Sequence, residues 1–184
     1  MAIYLTSDWH FCHDQPFLYE PRGFKNIDEM NEAIIAKHNS IISPEDDVIV
    51  LGDLMLNNTE KGIRCVNRLN GNLHIVYGNH DTQNRQEKYK ELNAEILGWA
   101  SVLNYRKYHF YLSHYPTLTG NLDNDKPLKA RVINLCGHGH VQDRWADWDK
   151  GLIYHVEMDA HNCYPVLLDD IIEEIKNKKD NSVQ

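Results

Sequence analysis

The stretch LHIVYGNHD, residues 73–81, consists of an apolar, β-branched run that is followed at once by polar side chains. Residues 2–6 and 47–51 form two more short apolar runs, and each of them also leads into a polar cluster. Runs of this length and composition are typical of the buried strands of an α/β sheet. The stretch therefore predicts one strand of such a sheet, with polar side chains at its carboxyl end.

Helical patterns lie between these predicted strands. Asp28 is in position to cap one helix, and Thr59 is in position to cap a second, shorter helix that ends near residues 70–71. Residues 85–97 are predicted to form a third helix. The first half of the chain up to that helix is therefore predicted to run β-α-β-α-β.

The second half of the chain changes to strands without long helices between them. The predicted strands are residues 100–103, 109–113, 131–136 and 152–157, and a final helix is predicted for residues 169–178. This order predicts an α/β fold with two packed mixed sheets flanked by helices. For a chain of 184 residues, one domain over residues 1–178 with a polar C-terminal tail, residues 179–184, is the simplest organisation.

Composition and charge disfavour several classes of protein. Hydrophobic residues make up 42% of the chain and charged residues 25%, which is ordinary for a globular protein. The net charge of −8 opposes attraction to nucleic-acid backbones and anionic membranes, so we expect no stable nucleic-acid partner and no membrane association. No stretch approaches the roughly 20 apolar residues of a membrane span, and no basic region precedes the first apolar run, which favours a cytoplasmic protein.

The cysteines do not predict a metal site or a disulfide framework. All four lie far apart and none forms a C-x-x-C pair: Cys12, Cys65, Cys136 and Cys163. We expect them to be buried free thiols.

Side chains that commonly bind metal ions follow five of the predicted strands. They are Asp8 and His10, Asp53, Asn79 with His80 and Asp81, His114, and His138 with His140. In an open α/β sheet, ligands bind outside the carboxyl ends of the strands, so the five segments are predicted to converge on one rim. Nitrogen and oxygen ligands without thiolates suit manganese, iron, zinc and similar divalent ions. Seven ligands drawn from such a set, one of them a bridging carboxylate, would suit two ions about 3.5 to 4 Å apart.

The spacing within two of these clusters carries further information. Asp8 and His10 are two residues apart, which on an extended chain directs both side chains to one face. His138 and His140 share that spacing, but Gly137 and Gly139 let the backbone turn closely, so their imidazoles could instead reach neighbouring ions. Each motif alone is more often a surface turn, a polar loop or a packed histidine. Their joint occurrence at predicted strand ends favours a metal centre.

In their order along the chain, these motifs resemble those of the calcineurin-like metallophosphoesterases, in particular the small single-domain bacterial and phage-type members. The matching motifs are D-x-H, G-D, G-N-H-D, a single histidine and G-H-x-H, and they extend from Asp8 to His140. The resemblance implies a four-layer α/β-β/α sandwich. It also implies a dinuclear, metal-dependent phosphoester hydrolase.

The resemblance also implies a role for each matching residue. Asp8, His10 and His140 would hold the first metal ion, Asn79, His114 and His138 would hold the second, and Asp53 would bridge the two. His80 would meet the scissile phosphate and help the leaving oxygen depart, while Asp81 would orient the His80 ring. Manganese is the leading candidate for both ions, and iron, zinc, nickel and cobalt are alternatives.

A charge argument explains why residue 79 is an asparagine. Two divalent ions carry four positive charges. The negative charges of Asp8, Asp53 and a bridging hydroxide neutralise three of them, so about one positive charge remains. Asn79 can bind metal through a neutral oxygen, which preserves that remainder for a phosphate anion. Metal coordination would lower the pKa of the bridging water toward neutrality and make it a nucleophile for in-line attack on phosphorus.

The substrate class is predicted less directly. The sequence GDLML, residues 52–56, lacks the G-D-x-x-D-R-G continuation of the Ser/Thr protein phosphatases, and the short chain has no room for a large cap insertion. A phosphodiesterase acting on a small or nucleotide-like phosphodiester is the favoured function, since few cationic residues stand beside the motifs. A phosphomonoesterase, a nuclease on short oligonucleotides and a non-catalytic scaffold are the alternatives, and the complete metal set disfavours the last.

Some side chains near the motifs are possible substrate contacts. His13 is the first of them because it follows His10 on the same loop, although an ordinary loop histidine is equally consistent with the sequence. Arg22 could meet a phosphate oxygen but is better explained as a surface arginine. Trp145 and Trp148 could stack on a nucleobase, although core packing is favoured. The sequence assigns no role to His155 or His161.

Overall fold

The computed structural model of the protein describes residues 1–119, 126, 128–146 and 152–177. One five-stranded sheet contains the first four strands of the chain, β1 to β4, and the last strand, β10: Ile3–Thr6, Asp47–Leu51, Asn72–Val76, Ala94–Gly98 and Val166–Leu167. Their order in the sheet is β10-β1-β2-β3-β4. β1 to β4 are parallel and β10 is antiparallel to β1, so the sheet is mixed.

The second five-stranded sheet contains β5 to β9. These strands are Ala100–Tyr105, Tyr108–Ser113, Val132–Cys136, Trp145–Ala146 and Ile153–His155. Their order is β5-β6-β7-β9-β8, with β6, β7 and β9 parallel to one another and an antiparallel strand at each edge. The helices α1 to α5 are Pro16–Tyr19, Ile27–Ile41, Thr59–Val66, Gln83–Tyr89 and Leu168–Asn177.

The buried apolar side chains form two clusters. Helices α2 and α3 contribute to the first, where Ile34 and Ile63 pack with Val50 and Ile75 of the first sheet. The second joins the two sheets, because residues of β1, β2 and β3 pack there with residues of β6, β7 and α5. This arrangement confirms the predicted α/β class and its two mixed sheets with flanking helices.

The largest error of the sequence prediction concerns residues 85–97. Helix α4 ends at Tyr89, and residues 94–98 form β4, which pairs in parallel with β3. The segment contains good helix formers, but the hydrogen bonds offered by the edge of β3 determine its conformation.

The predicted helix caps were also wrong by one or two residues. The Asn26 side chain accepts a hydrogen bond from the main-chain nitrogen of Glu29 at the start of α2, and Asn58 accepts one from Lys61 at the start of α3. Asp28 and Thr59 lie inside the first turns of these helices, where a residue no longer occupies the cap position. Helix α3 ends at Val66, earlier than predicted.

The remaining fold-level predictions concern cysteines, the membrane and the tail. All four cysteines are buried free thiols, as predicted. None of the helices in the described residues combines the length and the apolar character that a bilayer span requires. The predicted tail, residues 179–184, lies outside the described residues.

Candidate metal centre

The parallel strands of the two sheets bring the polar motifs to one edge of the molecule. Asp8, Asp53 and Asn79 follow β1, β2 and β3, which are neighbours in the first sheet. His114 and His138 follow β6 and β7, which are neighbours in the second sheet. The two edges are joined where the Asp8 carboxylate accepts a hydrogen bond from the main-chain nitrogen of His138, at 2.9 Å.

Three of the predicted ligands form one compact set, the Asp8 group (Asp8, His10 and His140). The Nε2 atoms of His10 and His140 are 3.2 Å apart. Asp8 Oδ1 lies 3.6 Å from the first of these nitrogens and 3.8 Å from the second. All three atoms therefore face a common point, at spacings that suit ligands of one ion.

Three other predicted ligands form a second set, the His114 group (Asn79, His114 and His138). Asn79 Oδ1 lies 2.8 Å from His114 Nε2 and 2.9 Å from His138 Nδ1. The two histidine nitrogens are 3.2 Å apart. His138 and His140 thus face different groups, which is the second of the two arrangements left open by their sequence spacing.

Asp53 lies between the two groups. Its Oδ2 atom is 3.6 Å from His10 Nε2 of the Asp8 group and 3.4 Å from His114 Nε2 of the His114 group. The other oxygen of Asp53 accepts a hydrogen bond from the main-chain nitrogen of His80, at 2.8 Å. One carboxylate oxygen is therefore placed to contact both halves of the site.

The backbone of the site is left-handed at several residues that are not glycine. Positive φ angles are found at Asp8, His10, Asp53, His138 and His140. This conformation is unfavourable for most side chains and is concentrated at functional sites. The expectation that Asp8 and His10 sit on an extended chain was therefore wrong, because it is a turn that directs both side chains to one point.

Two glycines permit the close packing of these loops. A Cβ atom at Gly78 would lie 2.2 Å from Asp53 Oδ1, and a Cβ atom at Gly137 would lie 2.3 Å from Asp8 Oδ2. Real Cβ atoms do not approach oxygen so closely, so any side chain at either position would displace a carboxylate of the site. The glycines of the G-N-H-D and G-H-x-H motifs are required by this contact.

The donor atoms fit divalent metal ions. Asp8 Oδ2 is held by the Ser7 hydroxyl, at 2.6 Å, and by the main-chain nitrogen of His138, whereas Oδ1 is buried and has no hydrogen-bond partner among the described residues. Buried polar atoms of proteins are almost always paired, so this oxygen lacks a partner that a cation would supply. Burial, together with the charge of Asp8, raises the pKa of Asp53, and a cation beside it would favour its charged form. Clusters of imidazole and carboxylate ligands on this chain therefore support divalent metal binding.

His80 lies at the open side of the site. Its side chain is 43% exposed, and its Nε2 atom is 4.0 Å from Asp53 Oδ2. Its ring centroid is 5.5 Å from that of His10. Burial, together with the charge of Arg85, lowers the pKa of His80 in the metal-free protein.

The structure gives the Asp81 carboxylate partners other than the His80 ring. Its Oδ2 atom accepts hydrogen bonds from the main-chain nitrogens of Gly78, at 2.7 Å, and Asp53, at 2.9 Å. Its Oδ1 atom accepts one from the Tyr89 hydroxyl. Asp81 thus joins the loop after β2 to the loop after β3, although its charge also favours the protonated form of His80.

The predicted substrate contacts divide into one half-buried residue, His13, and one residue with a buried side chain, Arg22. His13 lies near the site, with its ring centroid 5.5 Å from that of His10 and 6.5 Å from that of His80. Arg22 is not the surface arginine that the sequence favours, because its side chain is only 1% exposed and pairs with Asp159. It donates to the main-chain oxygen of Asp8, so it lies behind the predicted metal ligands.

Trp145 and the two histidines His155 and His161 pack into the structure. Trp145 donates to Glu174 through its indole nitrogen and contacts the Tyr154 ring, with centroids 4.8 Å apart. His155 and His161 are both buried, and His161 Nε2 hydrogen-bonds to the main-chain oxygen of His155. Trp148 lies outside the described residues.

Several supporting residues could not be recognised from the motifs. Asp159 contacts His140, and the buried Glu157 accepts hydrogen bonds from the main-chain nitrogens of Gly139 and Val141. Both acidic residues follow β9, at the same ends of the strands as the five motifs. Their position after a strand was the feature of the sequence that could have placed them near the site. Arg85, at the start of α4, donates to the main-chain oxygen of His80.

Comparisons with known proteins agree with this geometry. Residues 1–155 match the model of the calcineurin-like phosphoesterase superfamily domain. An uncharacterized protein of Methanocaldococcus jannaschii, MJ1445, is 32% identical over 180 residues, which cover 96% of this chain and 93% of that protein. The crystal structure of AQ665 from Aquifex aeolicus, a protein of unknown function, is 23% identical and covers 94% of this chain and 98% of that one, with a TM-score of 0.66. The structural likeness concerns the fold alone.

Proposed function

The chain belongs to the calcineurin-like phosphoesterase superfamily, and on that premise we propose that it is a two-metal phosphodiesterase that hydrolyses a small or nucleotide-like phosphodiester. The family and the ligand clusters together support a metal-dependent phosphoester hydrolase. The observation that carries the finer proposal is the position of Asp53 Oδ2 between two sets of converging donor atoms. Such an arrangement suits a pair of ions held by one shared carboxylate.

In this proposal the Asp8 group and the His114 group would each hold one ion, and Asp53 would contact both. When bound, the two ions would supply Lewis-acid stabilisation of the phosphoryl oxygens and activate the attacking water. Asn79 contributes a neutral oxygen, so it binds metal without cancelling the positive charge that attracts the phosphate. The main-chain hydrogen bond from His80 to Asp53 Oδ1 leaves Oδ2 free to face the ions.

His80 is the proposed acid for the leaving oxygen. Its partly exposed ring lies beside the Asp8 group, with Nε2 4.0 Å from Asp53 Oδ2. Burial and the charge of Arg85 lower the pKa of this ring, and a bound phosphate anion would raise it. The Asp81 charge acts in the same direction. General-acid catalysis of this kind contributes about 10²- to 10⁴-fold to a rate.

Charge and shape around the site support a diester with a planar group. A diester carries one negative charge and therefore needs fewer cationic contacts than a monoester. Arg85 is close enough to influence both His13 and His80, whereas the charge of Arg22 is neutralised by Asp159. Phe17 is 70% exposed and its ring packs edge-on against His13, with centroids 5.7 Å apart. Exposed aromatic rings beside a catalytic site can stack on a nucleobase or an aryl group.

The test is a substrate panel on protein reconstituted with Mn²⁺, Zn²⁺, Fe²⁺, Ni²⁺ or Co²⁺. It comprises bis-p-nitrophenyl phosphate, p-nitrophenyl phosphate, 2′,3′- and 3′,5′-cyclic nucleotides and short oligonucleotides. We expect the highest kcat/KM on a small diester, and loss of turnover and bound metal in Asp53→Asn. Asp14→Asn, at an exposed residue of the His10 loop, is the matched control and should retain both. A preference for the monoester, or for oligonucleotides, would replace the proposed substrate class, and no turnover with any metal would favour a scaffold.

A further inference from the structure

An ion pair between the buried side chain of Arg22 and the half-buried Asp159 lies directly behind the Asp8 group. Arg22 Nε donates to Asp159 Oδ1 at 3.0 Å, and Arg22 Nη2 donates to Asp159 Oδ2 at 2.7 Å. The same Nη2 atom donates to the main-chain oxygen of Asp8, also at 3.0 Å. Two-point pairing of this kind fixes the plane of the carboxylate as well as its position. Arg22 therefore fixes Asp159 relative to the loop that carries Asp8.

Asp159 in turn contacts the His140 ring on the side away from the other ligands. His140 Nδ1 lies 2.9 Å from Asp159 Oδ2, while its Nε2 faces His10 and Asp8. An imidazole that donates its Nδ1 proton to a carboxylate presents the Nε2 lone pair to a metal ion. The ring orientation and the tautomer that the Asp8 group requires are both set by this contact.

We propose that Asp159, held by Arg22, is a positioning residue that fixes the His140 ring and thereby sets the metal affinity of the Asp8 group. The inference rests on the proposed two-metal function, but it concerns binding of the ion and not hydrolysis. Arg22 has a second effect, because it cancels the charge of Asp159. The pair thus orients the ring without lowering the net positive charge available to the phosphate.

At the buried histidine of the His114 group, the part of the chain that the structure describes places a main-chain oxygen instead of a paired carboxylate. His114 Nδ1 contacts the main-chain oxygen of Leu51, at 2.8 Å. A main-chain carbonyl holds the ring without a charged side chain. Substitution at Asp159 should therefore weaken one of the two metal sites and leave the other unchanged.

The experiment titrates metal-free protein with Mn²⁺ alone, by calorimetry, in the absence of substrate. The variants are Asp159→Asn, which keeps the shape and removes the charge, and Arg22→Lys, which keeps the charge and removes the two-point pairing. The matched controls are Glu32→Gln and Arg68→Lys. They alter an ion pair that also has two hydrogen bonds but is exposed, between α2 and the segment that follows α3. Thermal unfolding of each metal-free variant is measured alongside.

We expect wild-type protein and both controls to bind two ions per chain. Asp159→Asn should lose about 10- to 100-fold in affinity at one site only, and Arg22→Lys should lose less at that same site. Unchanged metal affinity at both sites would overturn the inference. Equal weakening of both sites together with a lower melting temperature would also overturn it, since that pattern indicates a general loss of structure. Selective weakening in a protein without phosphodiesterase activity would support the positioning role while removing the proposed function.

Discussion

Substitution of Asp81 distinguishes two roles for a buried carboxylate beside His80. If Asp81 acts by holding the loops after β2 and β3, the essential property is its Oδ2 atom, which accepts from Gly78 and Asp53. Asp81→Asn can keep an oxygen in this position and turn its amide toward the Tyr89 hydroxyl, which can accept as well as donate. Asp81→Ala leaves both main-chain N–H groups buried and unpaired. The two variants should therefore behave very differently.

The hydrogen bonds give the magnitude of each effect. Two buried N–H groups without partners cost roughly 1 to 3 kcal/mol each, so Asp81→Ala should destabilise the protein by about 4 kcal/mol. Asp81→Asn loses only the charged character of these bonds, which is about 1 to 2 kcal/mol. For a chain of this size, 1 kcal/mol corresponds to roughly 2 to 4 °C in melting temperature. The expected decreases are therefore about 8 to 16 °C for the alanine variant and about 2 to 8 °C for the asparagine variant.

The assay combines thermal unfolding of metal-free protein with Mn²⁺ titration and turnover of bis-p-nitrophenyl phosphate. We expect Asp81→Asn to keep both metal ions and most of its turnover, and Asp81→Ala to lose metal as well as stability. The opposite result would be an asparagine variant that keeps its melting temperature and both ions but loses as much turnover as His80→Ala. That result would refute the loop-holding role and would mean that Asp81 acts through the charge of His80.

Three further predictions concern other residues of the chain. Asn79→Asp should bind metal more tightly and phosphate less tightly. One added negative charge about 5 Å from the phosphate costs about 3 kcal/mol at an effective dielectric constant of about 20, so the KM for the substrate should rise about 10²-fold. An unchanged KM would contradict the charge argument. Gly78→Ala should lower metal affinity at least ~10-fold in a titration, since its Cβ atom would lie 2.2 Å from Asp53 Oδ1, and unchanged affinity would show that the loop relaxes freely. Burial lowers the pKa of His38 below its ordinary 6.5, so neutral His38 stabilises the fold above about pH 6.5 and this contribution is lost as the pH falls through the folded-state pKa. The stability difference between wild type and His38→Gln, measured by urea unfolding, should therefore shrink between pH 7.5 and pH 5, and a constant difference would argue against a neutral buried ring.

The parts of the fold that sequence reasoning predicted correctly are those with strong local patterns. The runs that became β1, β2 and β3 are short, apolar and rich in β-branched residues, and each precedes polar side chains at the strand end. Such runs carry their own signal of burial. The five motifs could be predicted to meet because parallel strands bring their carboxyl ends to one edge.

The parts that could not be predicted depend on long-range contacts or on backbone geometry. Residues 94–98 form a strand only because the edge of β3 is available to pair with them. The left-handed conformations of Asp8 and His10 leave no mark in a D-x-H spacing, which matches an extended chain equally well. Asp159 acts on His140 together with Arg22, and Arg22 is 137 residues away from Asp159 in the sequence. No local pattern identifies a contact of that kind.

The polar contacts around the site explain how its strained backbone is maintained. Left-handed conformations at residues that are not glycine cost roughly 1 to 3 kcal/mol each, and a structure keeps them only where surrounding contacts determine the conformation. Here those contacts come from three acidic side chains, two buried and one half-buried. Asp81 holds the loops after β2 and β3, Glu157 holds the loop after β7, and the half-buried Asp159, with Arg22, holds His140 against the Asp8 loop. None of these carboxylates belongs to the two ligand groups. The positions of the ligand groups are therefore determined by the protein itself, so an incoming ion meets donor atoms that are already in place and the ordering cost on binding is small.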